Sequence, residues 1–392
     1  MRAIVVGAGI GGLASALSLR RAGHEVTLVE QTPRFTELGA GIQLAPNATR
    51  ELRRLGLLDA VAAQSAHPAA ASFRTWSDGA EICGYALGRE VEEEFGAPYL
   101  QIHRADLRDA LAAAVPPARV RLNTLVVGID QDERSAWVRT AGGERLVADL
   151  VVAADGIRST ARQWLFGADE AVFSGTAAYR ALLPAGEVAD LGLPDTGVWL
   201  GPGRHVVHYW LRGGELLNVV AVFGTDAAQE SWTAQAEPGE QLREFGGWDA
   251  RVLRVLERAG QVFRYGIYTR APLARWRVGR VTLLGDSAHA MVPFQAQGAA
   301  QAILDAAVLG DCLADAAPDD VPAALDRYER RRLPHATSMQ ARSARAGEEF
   351  HLPDGPDAQE RNARMAAHAA EHRFMPVAAA WGEDVLDEPT GP

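Results

Sequence analysis

Ala3-Ile4-Val5-Val6-Gly7-Ala8-Gly9-Ile10-Gly11-Gly12-Leu13 is the stretch that decides the fold. Its first four residues are apolar and mostly β-branched, as in a parallel strand buried on both faces. The GxGxxG that follows places glycines where a tight turn, a close backbone approach and close helix–strand packing each exclude a side chain. Gly11 to Ala22 then reads as a helix with an apolar side of Leu13, Ala16, Leu17 and Leu19, ended by Gly23. Glu25-Val26-Thr27-Leu28-Val29-Glu30 is the next strand, completing a βαβ unit. In such a unit a phosphate rests on the helix N-terminus. Glu30, at the end of the second strand, can take a ribose diol on its carboxylate. Gly7, Gly9, Gly11, Gly12 and Glu30 are therefore candidate dinucleotide-binding residues. The motif alone does not separate NAD from FAD.

The chain around this unit has 392 residues, with 39 Lys+Arg against 50 Asp+Glu and a formal net charge of −11. That balance argues against nucleic acid, which needs a basic footprint, and against an anionic membrane surface. Only Cys83 and Cys312 are present, far apart and in no CxxC, so a disulfide framework is excluded. The first strand begins almost at residue 2, nothing reads as a leader, and no apolar run is long enough to span a bilayer. A cytoplasmic protein is expected. His368 and His372 stand four apart but lack a third ligand, so no metal is expected.

Further along, Gly39 to Asn47 reads as a loop, Ala48 to Ala63 as a helix, Phe73 to Leu87 as strands and Ala105 to Val115 as a helix. Leu150-Val151-Val152-Ala153-Ala154 is another buried strand. From about Ala171 to Tyr268 the texture changes: Trp199, Tyr209, Trp210, Trp232 and Trp248 gather there. Alternating strands, clearest at His205 to Leu211 and Leu216 to Phe223, point to an antiparallel sheet. Val281 to Leu284 returns to the buried parallel type, and a helix starts at Gly298. Val321 to Ala380 reads as mostly helical.

Two more motifs fall at strand ends. Gly279-Arg280-Val281-Thr282-Leu283-Leu284-Gly285-Asp286 ends in Gly-Asp and leads through Pro293 to Gln297-Gly298 and the helix. A carboxylate at the C-terminal end of a parallel strand can accept hydrogen bonds from a polyol, and FAD has a free ribitol where NAD has none. The helix start can hold negative charge on a reduced ring. Ala154-Asp155-Gly156-Ile157-Arg158-Ser159 is the third motif.

With these three motifs in this order, the chain resembles the FAD-dependent aromatic hydroxylases, single-component flavoprotein monooxygenases. The branch it is most similar to holds salicylate hydroxylase, 3-hydroxybenzoate 6-hydroxylase and 6-hydroxynicotinate 3-monooxygenase. The resemblance runs from Arg2 to about Leu352. Trp199-Leu-Gly-Pro-Gly-Arg-His205, Leu211-Arg-Gly-Gly-Glu215 and Ala296-Gln297-Gly298-Ala299 support the branch. It implies an α/β fold: a Rossmann-like FAD-binding domain with a parallel sheet, an inserted antiparallel-sheet substrate domain and a C-terminal helical region. The expected division is 1–72, 100–170 and 270–320 for the discontinuous FAD-binding domain, 73–99 and 171–269 for the substrate domain, and 321–392 for the helical segment.

The resemblance also implies residue roles. Glu30 would hold the adenosine ribose, Gly11 the pyrophosphate, and Arg104 an FAD phosphate. Gln43 and Leu125 would line the FAD groove. Asp286 would bind the ribityl and pyrophosphate side. Gln297, Gly298 and Ala299 would approach the isoalloxazine through backbone N–H groups. Asp155 would serve both FAD and NAD(P)H. The implied reaction uses tightly bound FAD, NAD(P)H as transient co-substrate and O₂ to hydroxylate a phenolic, salicylate-like substrate through a flavin C4a-hydroperoxide. The alternative is a related enzyme of secondary metabolism acting on a larger polycyclic or heteroaromatic ring. Enzymes of this size are often homodimers, though the sequence marks no interface. Two positions depart from the family pattern: Leu304 before Asp305, and Thr269 before Arg270.

Ring attack is fastest on a phenolate, so a proton acceptor beside the phenol helps. Alternation along Arg204 to Leu211 puts His205, Val207, Tyr209 and Leu211 on one face and His208 and Trp210 on the other. His205 and Tyr209 coincide with the pocket His and Tyr of the branch. His205 is expected to accept or relay the phenol proton and Tyr209 to orient the ring substituent; the plain alternative is a structural histidine and a core tyrosine. Arg180 and Arg212 are further candidates, for a substrate carboxylate.

Overall fold

The computed structural model describes residues 1–35, 40–167, 169–228, 231 and 233–387. Trp232 and Gly39 lie outside the described residues. Arg2–Val6 pairs in parallel with Glu25–Val29 on one side and Leu150–Ala153 on the other. Val281–Leu283 extends this sheet in parallel, Val120–Arg121 closes one edge, and the short antiparallel strand Arg277–Val278 closes the other. The three motif strands are thus adjacent, and their C-terminal ends share one edge of the sheet. In open parallel sheets that edge is where ligands bind. Helix Ile10–Arg21 packs between this sheet and helix Gly298–Leu313, with Leu13, Leu19, Ile303 and Leu309 almost wholly buried. A three-stranded antiparallel sheet of Val126–Gln131, Ala136–Thr140 and Arg145–Ala148 lies alongside.

The aromatic-rich stretch forms a seven-stranded sheet in the order Phe263–Thr269, Val172–Pro184, Leu216–Gly224, Arg204–Leu211, Thr196–Gly201, Ala70–Thr75 and Glu81–Ala86. It is antiparallel apart from one pair, Thr196–Gly201 with Ala70–Thr75, because the latter strand enters from the first hundred residues. One face, which carries Trp199, packs on Phe245, Trp248 and the helix Ala250–Arg258. A two-stranded ribbon, Gly41–Leu44 with Leu100–His103, stands where a loop was expected and lies against the Tyr209 end of the sheet. The helix expected over 48–63 is two, Pro46–Arg54 and Leu58–Ala62, because Gly56 adopts φ +74° between them. Val321–Phe350 and Pro356–Glu371 make up the C-terminal helices. No helix among the described residues is long and apolar enough to cross a membrane.

Candidate active site at the edge of the parallel sheet

The glycine loop is shaped by contacts that leave no room for side chains. Gly7 has φ +98°, and a Cβ there would meet the Ala154 carbonyl oxygen at 2.4 Å. A Cβ on Gly12 would lie 1.9 Å from the Gly7 oxygen, and one on Gly11 2.9 Å from Leu284 Cδ2. Gly9 differs: nothing lies within 4 Å of its Cβ position. It caps helix Ile10–Arg21 without any side-chain hydrogen bond to the first-turn amides. Those amides carry the positive end of the helix dipole. An open face with free amides fits a pyrophosphate.

Glu30 is fixed beside this loop. One carboxylate oxygen accepts from Ala8 N–H at 2.8 Å, the other from Thr32 N–H at 2.9 Å and from the Thr32 hydroxyl at 3.0 Å. The chain at 123–125 runs alongside, with Thr124 N–H donating to the Glu30 carbonyl. Leu125 stands there 47% exposed, an apolar surface next to the segment that bonds Glu30. Asp155, just past its strand, accepts from Ala161 N–H at 3.1 Å through Oδ2 while Oδ1 is buried with no partner. Burial raises its pKa above the ordinary value. A buried carboxylate oxygen without a donor is costly, and the hydroxyls of a polyol would satisfy it. These features together fit FAD.

Asp286 is exposed at the start of the short helix Asp286–His289. Arg104, also exposed, opens helix Arg104–Ala114, and its backbone N–H donates to the Ala40 carbonyl. Gln297 is buried and accepts from Asn47 Nδ2 at 3.0 Å. This fixes the entry to helix Gly298–Leu313, whose first residues Gly298 and Ala299 are partly open.

Beyond Gln297 lies a cavity of about 480 Å³. The turn Pro293 to Gln297 forms one side, Gln43 and Tyr99 another, and Thr196, Val198, His205 and Val207 of the large sheet a third. The C-terminal helices and the segment after them close it with Phe350, Met365, Met375 and Trp381. Gln43 Oε1 accepts from the Tyr99 hydroxyl at 2.5 Å.

His205 is 4% exposed on this wall. Its Nδ1 lies 2.7 Å from Nε2 of His351, a residue with no local sequence signal to nominate it and 146 positions away. Burial and the neighbouring His351 keep the His205 pKa well below 6.5, so the ring is neutral. His208 faces the other way, as alternation requires. It packs on Trp199, bonds the Pro194 carbonyl at 3.0 Å, and is lowered by burial to about 3.

Tyr209 does not line the cavity beside His205. Four residues further along the strand, it has passed beneath the ribbon, and its ring sits where a side chain on Gly41 would project. In register with Thr196 and Asn218, it belongs to a buried polar row. There Asn218 Oδ1 accepts from Gly41 N–H, and Thr196 Oγ1 from Gln101 Nε2. Arg212 is taken by a two-pronged pair with Asp106 at 2.8 and 2.9 Å. Arg180 is buried over the Phe263 and Tyr265 rings.

The two departures from the family pattern are absorbed. Leu304 is core. Thr269 donates to the Ala290 carbonyl, while Arg270 bonds the Ile157 and Asp169 carbonyls.

Comparison with known proteins agrees with this geometry. The family model described as FAD binding domain matches residues 1–343. Over 366 residues the chain is 41% identical to 3-amino-4-hydroxybenzoate 2-monooxygenase PtmB3 of Streptomyces platensis, covering 93% of this chain and 92% of that one. It is 35% identical over 344 residues to 6-hydroxynicotinate 3-monooxygenase of Bordetella bronchiseptica, covering 86% and 89%. A solved salicylate hydroxylase substrate complex superposes with a TM-score of 0.85 at 26% identity, covering 98% of this chain and 96% of that one. The chain belongs to the FAD-dependent aromatic hydroxylases, a family of flavoprotein monooxygenases.

Proposed function

We propose that this enzyme hydroxylates a single-ring phenol bearing a carboxylate, in the manner of the aminohydroxybenzoate and hydroxynicotinate enzymes it is similar to. The observation that carries the reading is His205, a neutral buried imidazole on the wall of a cavity that the Pro293–Gln297 turn also lines. When bound, FAD supplies the redox chemistry, taking electrons from NAD(P)H and delivering one oxygen atom of O₂ to the ring. The glycine loop and Glu30 hold its adenosine half, Asp155 and Asp286 its polyol, and Gln297, Gly298 and Ala299 its ring system; Arg104 and Leu125 flank the groove. His205 Nε2 takes the phenol proton, which raises electron density on the ring carbon to be attacked. Gln43 and Tyr99 limit how the ring lies, and Tyr209 braces the ribbon that carries Gln43. The apolar wall of Phe73, Val198, Val207, Phe350 and Met375 keeps water from the reacting centre.

We group residues 1–72, 100–170 and 270–320 as the FAD-binding domain and 73–99 with 171–269 as the substrate domain. Dependence on NAD(P)H suits a cytoplasmic enzyme.

The test is a screen of the purified yellow protein. 3-Amino-4-hydroxybenzoate, salicylate, 6-hydroxynicotinate and larger phenols are compared for stimulated NAD(P)H oxidation, with product analysis to separate hydroxylation from peroxide release. Coupled turnover of a single-ring acid is expected. A colourless protein that cannot be reconstituted with FAD, or coupling confined to polycyclic phenols, overturns the reading. Asp286→Ala is expected to lower flavin occupancy.

A further inference from the structure

The His205 and His351 rings stack with centroids 5.0 Å apart and planes 29° apart, besides the 2.7 Å approach of their nitrogens. A contact that short needs one proton between the two nitrogens, so one ring donates and the other accepts. The remaining nitrogen of each ring has no hydrogen bond among the described residues. His205 borders the cavity, while His351 is only partly buried, at the C-terminal end of helix Val321–Phe350. Phe294 lies edge-on to both rings at 5.2 and 5.6 Å, and Phe350 edge-on to His205 at 5.6 Å. Four charged side chains also line the cavity: Arg342, Arg345, Glu349 and Arg364. Glu349 pairs with Arg364, Asp354 accepts from Trp76 Nε1, and Arg345 is exposed.

In this aromatic cage neither ring is suited to keep a positive charge. Burial lowers His351 to about 4, and burial with the neighbouring His351 holds His205 well below its ordinary value. A proton taken up by His205 has to be handed on, and His351 is the group in reach.

We propose that His351 relays to solvent the proton that His205 takes from the substrate hydroxyl. The O–H bond breaks as an N–H bond forms at His205 Nε2. The Nδ1 proton of His205 passes to His351 Nε2, and His351 releases its Nδ1 proton to water. One proton leaves the substrate, one enters solvent, and both rings end neutral with their tautomers exchanged. His351 is a positioning residue in this scheme: it touches neither substrate nor flavin and acts through His205. The proposal rests on the reading of His205 as the proton acceptor.

The experiment mixes oxidised holoenzyme with 3-amino-4-hydroxybenzoate, without oxygen or NAD(P)H, in weak buffer containing a pH indicator, and follows proton release by stopped flow. His351→Gln is expected to slow release by about tenfold or more at unchanged flavin content, with recovery on adding imidazole. His205→Ala is expected to abolish release. Release from His205→Ala at the wild-type rate removes the acceptor reading and the relay with it. Loss in His205→Ala but a wild-type rate in His351→Gln overturns the relay alone. If His351→Gln does not hold flavin, ¹⁵N-imidazole spectra of the wild-type holoenzyme decide. Substrate should then exchange the tautomers of both rings together, and a change confined to His205 overturns the relay.

Discussion

Gly9 and Gly12 belong to one motif but differ in what a methyl group would meet, and that difference separates folding from binding. At Gly12 the nearest atom is a backbone oxygen at 1.9 Å, which cannot move without breaking the strand–helix turn. Gly12→Ala should therefore destabilise the deflavinated protein by about 3 kcal/mol or more. At Gly9 the backbone is in the extended region with φ −71° and the space is open. Gly9→Ala should leave the deflavinated protein within about 0.5 kcal/mol of wild type, while a methyl group facing the pyrophosphate weakens FAD. Thermal melts without flavin and titration of flavin fluorescence check both halves. A Gly9→Ala protein with wild-type FAD affinity would place the phosphates elsewhere. At this scale much of the site could be read in advance. GxGxxG and the strand-end acids are local patterns whose geometry follows from the backbone. Alternation alone sorted His205 from His208. His351 could not be read, because its meeting with His205 joins a sheet strand to the end of a distant helix. Nor could the place of Tyr209, which is set by a ribbon that lacks the length and alternation of a recognisable strand.

Between elements, the strongest tie is Asp305 on helix Gly298–Leu313. Its carboxylate accepts from Arg332 Nε at 2.7 Å on the long helix, from His289 Nε2 at 2.6 Å and from Gly285 N–H at 3.0 Å in the Gly-Asp turn. Burial alone would raise its pKa, but His289 and Arg332 outweigh that and hold it near 2. The acid is therefore ionised in the fold, and its contribution is present above its ordinary pKa and lost as pH falls from about 4 to 2. Asp305→Ala leaves the guanidinium of Arg332, 1% exposed, without its carboxylate. A loss of about 3–5 kcal/mol is expected in urea unfolding at pH 7. The gap should narrow toward pH 2; a gap constant with pH would mean the carboxylate is not what holds the turn. The elements themselves were legible from apolar runs and glycine stops. Where the helical C-terminal stretch goes was not, since an amphipathic helix shows which face it buries but not against what.

At the scale of the whole molecule, the segment after the last long helix returns to helix Pro46–Arg54. Asp384 forms a paired contact with Arg54, which also bonds Glu51 at 2.5 Å on helix Pro46–Arg54. Arg50 on the same helix donates to the carbonyls of Phe95, Trp381 and Glu383. Arg50 holds the Trp381 carbonyl, so this electrostatic clasp helps shape the cavity wall that Trp381 lines. Glu51 is its weak member. Only 3% of it is exposed, and burial, opposed by Arg54 but aided by Asp384, pushes its pKa up to about 6. The unfolded chain gives up this proton at the ordinary value of 4.5. Between 4.5 and 6 the folded state thus binds more protons than the unfolded one, and stability falls as pH rises through that window. The protonated acid is the stabilising form, fully present below 4.5, and the loss is about 2 kcal/mol above 6. Glu51→Gln removes the titration while keeping the size and one donor–acceptor pair. Other groups titrate in both proteins and cancel in the comparison. The variant's melting temperature, measured by calorimetry at steps from pH 4 to 7.5, should gain on wild type between 4.5 and 6 and run parallel to it outside that window. A difference that stays flat throughout would mean that Glu51 ionises as if exposed, and that the clasp does not hold the chain end against helix Pro46–Arg54.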